Sequence, residues 1–148
     1  MLQATLFDFN GVLVDDESLH LEGFNAALRP AGVTVSLDEY NERYLGFDDR
    51  GAFSAMLRDR GLDHGDERIA SLIAAKSVVY AELAARSLTV FEGAAALLRS
   101  AAERGPVAIV SGALRGEIDV ALRLMGAESA PRVIVAAEDV AACKPDPE

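Results

Sequence analysis

Basic residues are scarce in this chain. Its 14 lysines and arginines stand against 24 aspartates and glutamates, a formal net charge of -10 over 148 residues. Nucleic acids and anionic membranes attract clustered Lys and Arg, so neither is expected as a partner. A small phosphorylated ligand is compatible, because one site can be locally positive on an acidic protein. Cysteine is almost missing: Cys143 is the only one. That excludes an internal disulfide, suits a reducing compartment and gives Cys143 a structural role only. No apolar run approaches the ~18 residues of a membrane span, and the start lacks the basic region of a secretory leader. The expected location is cytoplasmic. Repeats and low-complexity stretches are lacking as well. What is present is 51% hydrophobic and 26% charged residues, enough to bury a core.

The patterning alternates between strand and helix. Residues 4 to 9 are a short apolar run, as expected of a buried parallel strand. Asp16 and Glu17 then put negative charge at a helix start, with Leu21, Phe24 and Leu28 at helical spacing. Pro30 and Gly32 end that helix. Ser36-Leu37-Asp38-Glu39 is a capping-box pattern and opens a second helix. A third runs from about Asp48 to Arg60 and buries Phe53, Met56 and Leu57. The fourth carries the stripe Ile69, Leu72, Ile73, Val79, Tyr80 and Leu83. Beyond the Phe91-Glu92-Gly93 turn, a helix over 94–104 precedes the strand Val107-Ala108-Ile109-Val110. A helix over about 114–125 and a strand over 132–136 follow. Strands alternating with helices at this spacing predict a parallel sheet. The expected fold is therefore an α/β, Rossmann-like core over residues 1–15 and 88–148, with an all-helical cap inserted over 16–87.

Ligands of such sheets bind at the carboxyl ends of the strands. Asp8, Ser111 and the segment before Lys144 fall at the ends of the first, second and third core strands. Three polar groups from distant sequence thus converge on one edge. A carboxylate nucleophile can split a displacement into two easier steps. A glycine such as Gly11 permits a turn that aims backbone amides at an anion, and Ser and Lys donors complete an anion cradle.

These residues resemble the haloacid dehalogenase-like hydrolases, in the branch with a helical cap after the first motif. β-Phosphoglucomutase-like and phosphoglycolate-phosphatase-like proteins are the most similar. Three motifs carry the resemblance: Phe7-Asp8-Phe9-Asn10-Gly11-Val12-Leu13, Ile109-Val110-Ser111-Gly112 and Cys143-Lys144-Pro145-Asp146-Pro147. It implies that Asp8 becomes an aspartyl-phosphate, that Ser111 bonds the phosphoryl oxygens and that Lys144 neutralises their charge. Mg2+ would be held by the Asp8 carboxylate and the main-chain carbonyl of Asn10. Gly11, Gly112, His20, Arg50 and Lys76 are the substrate-binding residues implied. The implied activity is phosphatase action on a small phosphorylated metabolite, with the cap closing over it. The chain is expected to act as a monomer or a weak homodimer. Phosphoglucomutase-like transfer, metal-independent dehalogenation and a catalytically weak phosphate-binding module are the alternatives.

Two departures stand out. The family pattern is Asp-x-Asp, whereas this chain has Asp8-Phe9-Asn10. The second acid normally protonates the leaving oxygen and then activates water, a role worth ~10²–10⁴-fold. An amide has nearly the same shape and cannot exchange a proton in that way, so slow turnover is expected. Asn10-Gly11 is also a dipeptide prone to deamidation, which would convert the amide into an acid. Second, the family completes its metal site with acids on a further strand beside the first, and that motif does not follow Lys144 here. The first strand is then expected to have an open edge, as in part of a longer protein. Pro145 and Pro147 read as the start of another helix. Other residues have ordinary explanations to weigh. Ser111 could be a helix N-cap, Asp15 is a hinge or turn acid, and His20 borders an apolar face. A lysine in an apolar stripe, like Lys76, ordinarily extends its stem towards solvent.

Overall fold

The computed structural model describes residues 3–142 and 144; the expectations placed on Cys143, Pro145, Asp146 and Pro147 lie outside them. The chain divides into two compact units, one formed by residues 1–17 and 84–148 and the other by 18–83.

The first unit is built on a three-stranded parallel sheet. Strands β1 (Thr5–Phe7), β4 (Val107–Val110) and β5 (Val133–Val135) lie in the order β1-β4-β5. Thr5, Leu6 and Phe7 stand opposite Val107, Ala108 and Ile109, and Ala108 to Val110 stand opposite Val133 to Val135. Parallel strands need a crossover between them, and helix α6 (Arg115–Met125) supplies it from β4 to β5. Helix α5 (Ala94–Arg104) precedes β4. The central strand alternates, with Val107 and Ile109 buried against Phe7, Phe9, Leu98, Ile118 and Leu122. At the edge the expected burial does not hold throughout. Among the described strands β1 pairs with β4 alone, and Leu6 is 66% exposed because it faces away from that cluster. The patterning also misses a short antiparallel pair, β2 (Val14–Asp15) with β3 (Thr89–Val90). Two-residue strands are too short to show alternation. They place Asp15 in a ladder, opposite Thr89.

The second unit is helical. Helix α1 (Glu17–Leu28) enters it, and a 3-10 turn over Arg29–Ala31 closes at Gly32, whose φ of 69° only glycine adopts without strain. Helix α2 (Leu37–Arg43) starts on Ser36, whose Oγ accepts the Glu39 N–H at 3.1 Å. The reciprocal half of the capping box is replaced: the Glu39 carboxylate accepts from Arg60 at 2.8 and 3.0 Å. Helix α3 (Asp49–Arg58) is capped by Asp48, which accepts the Gly51 N–H at 2.9 Å. Helix α4 (Asp66–Ser87) is the long one. Phe24, Leu28, Tyr40, Phe53, Met56, Leu57, Ile69 and Leu72 form the core. No described helix is long and apolar enough to cross a membrane.

Candidate active site

Asp8 leaves β1 at its carboxyl end, where the chain tightens into a turn. The N–H groups of Val12, Leu13 and Val14 all point at the Phe9 carbonyl, at 3.2, 2.8 and 3.4 Å, and Gly11 donates to Val14 O at 2.9 Å. Gly11 has φ of 70°, a left-handed conformation that a side chain disfavours. Buried Phe9 and Leu13 anchor the turn in the core, so its polar residues are held out of the apolar interior.

Four residues from three distant segments meet there. Asp8 Oδ1 accepts the Phe9 N–H at 2.8 Å and lies 2.9 Å from Lys144 Nζ. Both contacts fall on Oδ1, so Oδ2 has no hydrogen-bond partner among the described residues. The carboxylate is about half exposed, at 48%, and is accessible to a ligand. Lys144 also donates to Val110 O at 3.3 Å, at the carboxyl end of β4. Ser111, the next residue, donates its hydroxyl to Asn10 Oδ1 at 3.3 Å and accepts the Ala113 N–H at 3.1 Å. Ser111 is therefore not the N-cap of helix α6, which begins at Arg115 after Leu114 and whose first turn is closed by Glu117 accepting the Leu114 N–H at 3.0 Å. The other end of the Asn10 amide donates from Nδ2 to Asp16 Oδ2 at 2.8 Å.

Asp16 was visible in the sequence only as a helix-start acid. Its side chain is fully buried, and only the folded turn brings it to Asn10. Among the described residues no group of three or more His, Cys, Asp or Glu side chains could hold a metal ion. The donors present are hard oxygens: the Asp8 carboxylate and the main chain at Asn10. Magnesium is commonly held by one or two carboxylates, with waters and substrate phosphate completing its shell, so this set fits it as the protein's share of such a shell.

The remaining expected residues lie in the helical unit. Lys76 does not extend to solvent. It occupies the buried stripe of α4 between Leu72 and Tyr80, fully enclosed, with Nζ at 2.6 and 2.8 Å from the two oxygens of Asp49. The ammonium also lies over the rings of Phe24 and Tyr80, at 4.9 and 5.5 Å. His20 is buried, its ring 4.8 Å from that of Tyr80. Arg50 is exposed and paired with Asp66 at 2.7 Å. In the core unit, Gly112 directly follows Ser111.

Residues 5–148 match the family of haloacid dehalogenase-like hydrolases. The chain belongs to that family. Among solved structures it is similar to CbbY from Rhodobacter sphaeroides in complex with phosphate, with 27% identity and a TM-score of 0.87 over 99% of this chain and 68% of that one. A variant of the same protein, studied with xylulose-(1,5)bisphosphate, matches equally well. A hydrolase from Pseudomonas syringae shares the fold at 22% identity and a TM-score of 0.82, over 99% of this chain and 66% of that one. No match is found among curated proteins. The expected α/β core with a helical cap is the fold of this family, and membership makes the chain a hydrolase.

Proposed function

We propose that this haloacid dehalogenase-like hydrolase is a phosphatase for a small phosphorylated metabolite, sugar phosphates among them, with Asp8 as nucleophile and Asn10 slowing turnover. One observation carries the reading. Ser111 and Lys144, on segments more than 100 residues beyond the turn, reach Asn10 and Asp8 at 3.3 and 2.9 Å. The phosphate-bearing and bisphosphate-bearing CbbY structures support the ligand class.

In the first step, an Asp8 carboxylate oxygen attacks phosphorus, the bond to the leaving oxygen breaks, and an aspartyl-phosphate forms. Lys144 counters the charge gathering on Asp8 and the phosphoryl oxygens, and the Ser111 hydroxyl can turn to donate to one of them. In the second step, water attacks phosphorus, the Asp8–phosphorus bond breaks and Asp8 is regenerated. Asn10 cannot protonate the leaving oxygen or take the proton of the attacking water, so those protons are exchanged with solvent. Phosphatases of this family generally use magnesium. Bound by the Asp8 carboxylate and the main-chain carbonyl of Asn10, it would supply charge stabilisation for the phosphoryl oxygens. Asn10 also favours a second reading, hydrolysis of a carbon–halogen bond, in which relatives dispense with both the second acid and the metal.

The test is phosphate release from a panel of small phosphorylated metabolites, with and without chelator, alongside intact-mass detection of a phosphoryl adduct. Asp8→Asn should abolish both signals. Asn10→Asp should accelerate release by up to ~10²–10⁴-fold. It is made alone and with Asp16→Thr, which removes the carboxylate otherwise 2.8 Å from the new one. Equal rates in all three proteins would end the role given to Asn10. Turnover of haloacids undiminished by chelator would select the second reading.

A further inference from the structure

Asp16 is a fully buried carboxylate, and Asn10 Nδ2 donates to it at 2.8 Å. A buried carboxylate is costly unless it is hydrogen-bonded. Ionised, it can only accept, so it dictates which end of the Asn10 amide faces it. The nitrogen must point at Asp16, and the carbonyl then points at Ser111, whose hydroxyl donates to it at 3.3 Å. A hydroxyl residue in place of Asp16 would impose no such choice, because a hydroxyl both donates and accepts.

Resting on the phosphatase reading, we propose that Asp16 is the positioning residue of this site: it locks Asn10 with its carbonyl towards Ser111 and makes position 10 an obligate acceptor. An acceptor two residues from the nucleophile can orient the O–H of the attacking water without removing its proton. In a chain that lacks the second acid, this orientation is what position 10 retains of that residue's work. Asp16 itself touches neither substrate nor the reacting oxygen; it acts through Asn10.

The test is a double-mutant cycle with a spectroscopic arm. Asp16→Ala should lower kcat for phosphate release by about tenfold, as expected for loss of one hydrogen bond to a charged group, and leave KM within about twofold. Asp16→Thr retains helix-capping ability and should show a smaller loss in the same direction. Asp16→Asn, whose amide both accepts and donates, leaves the Asn10 orientation as open as a hydroxyl does and should show a comparable partial loss. In an Asn10→Ala background, Asp16→Ala and Asp16→Thr should have no further effect on kcat. Equal losses in both backgrounds would show a merely structural Asp16 and overturn the proposal. Independently of activity, the Asn10 side-chain amide is followed by nitrogen-15 NMR and assigned by its loss in Asn10→Ala. Its hydrogen exchange should be slow in the parent, fast in Asp16→Ala, and intermediate in Asp16→Thr and Asp16→Asn. An unchanged amide in Asp16→Ala overturns the proposal. The expected amide changes in a protein that releases no phosphate would support the lock and overturn the phosphatase reading instead.

Discussion

Removing Asp49 should damage the helical unit more than removing the lysine it pairs with. Lys76 is wholly enclosed, while the Asp49 side chain retains 14% exposure. Truncation by Asp49→Ala leaves an ammonium buried without its carboxylate, a change that typically costs 3–5 kcal/mol. The rings of Phe24 and Tyr80 still face the charge and offset part of this, since each desolvated cation–π contact contributes about 1–2 kcal/mol. The expected cost is therefore near the low end, about 3 kcal/mol. Lys76→Met differs in kind. It removes the charge that needed compensation, fills much of the same space, and leaves a carboxylate near enough to the surface to be hydrated. Its cost should be about 1 kcal/mol. Combined with Asp49→Ala, it should recover most of the loss. Urea unfolding followed by far-UV circular dichroism measures this. With a slope of about 1.5 kcal/mol per molar, Asp49→Ala should lower the midpoint of the helical unit by about 2 M. A shift below about 0.5 M, or equal costs for the two single variants, would refute the reasoning.

Two further outcomes follow from the core unit. The Asp139 carboxyl is held below its ordinary range, first by the Ala136 N–H at 2.8 Å and then by the Arg115 guanidinium at 2.6 Å. A lowered folded-state value stabilises above the unfolded pKa of about 4 and is lost as pH falls through the folded one; Asp139→Asn should flatten that acid limb of a melting-temperature profile. Deamidation needs the Gly11 nitrogen to attack the Asn10 side-chain carbon and expel ammonia. Gly11 N–H is donated to Val14 O at 2.9 Å and the amide is held by Asp16 and Ser111, so peptide mapping should find Asn10 intact in aged native protein and converted in urea; equal rates would refute this.

Much of the architecture was legible because hydrophobic period reports burial directly. The helices over 94–104 and 114–125 and the strand at Val107 to Val110 follow from spacing alone, and observed elements span Ala94–Arg104, Arg115–Met125 and Val107–Val110. Edges were less legible. Leu6 reads as core in an apolar run, yet exposure depends on what lies against a strand's outer face, which local pattern does not encode. The meeting of Asp8, Ser111 and Lys144 was legible for a topological reason: parallel strands present their carboxyl ends on one side, whatever the residues between.

Partnerships of buried charges were not legible, and Lys76 and Asp16 show why. Periodicity places Lys76 on an apolar stripe, and an apolar stripe argues for a lysine that escapes to solvent. Its acceptor, Asp49, lies 27 residues away on another helix, so nothing in the local pattern announces compensation. Asp16 is six residues from Asn10, a spacing with no meaning on a helix or a strand. The tight turn at Gly11 folds that interval back on itself. The exchange of acid for amide at position 10 therefore cannot be weighed by itself. A buried acid six residues on decides which face of that amide the site receives, and the chemistry left to position 10 depends on the pair.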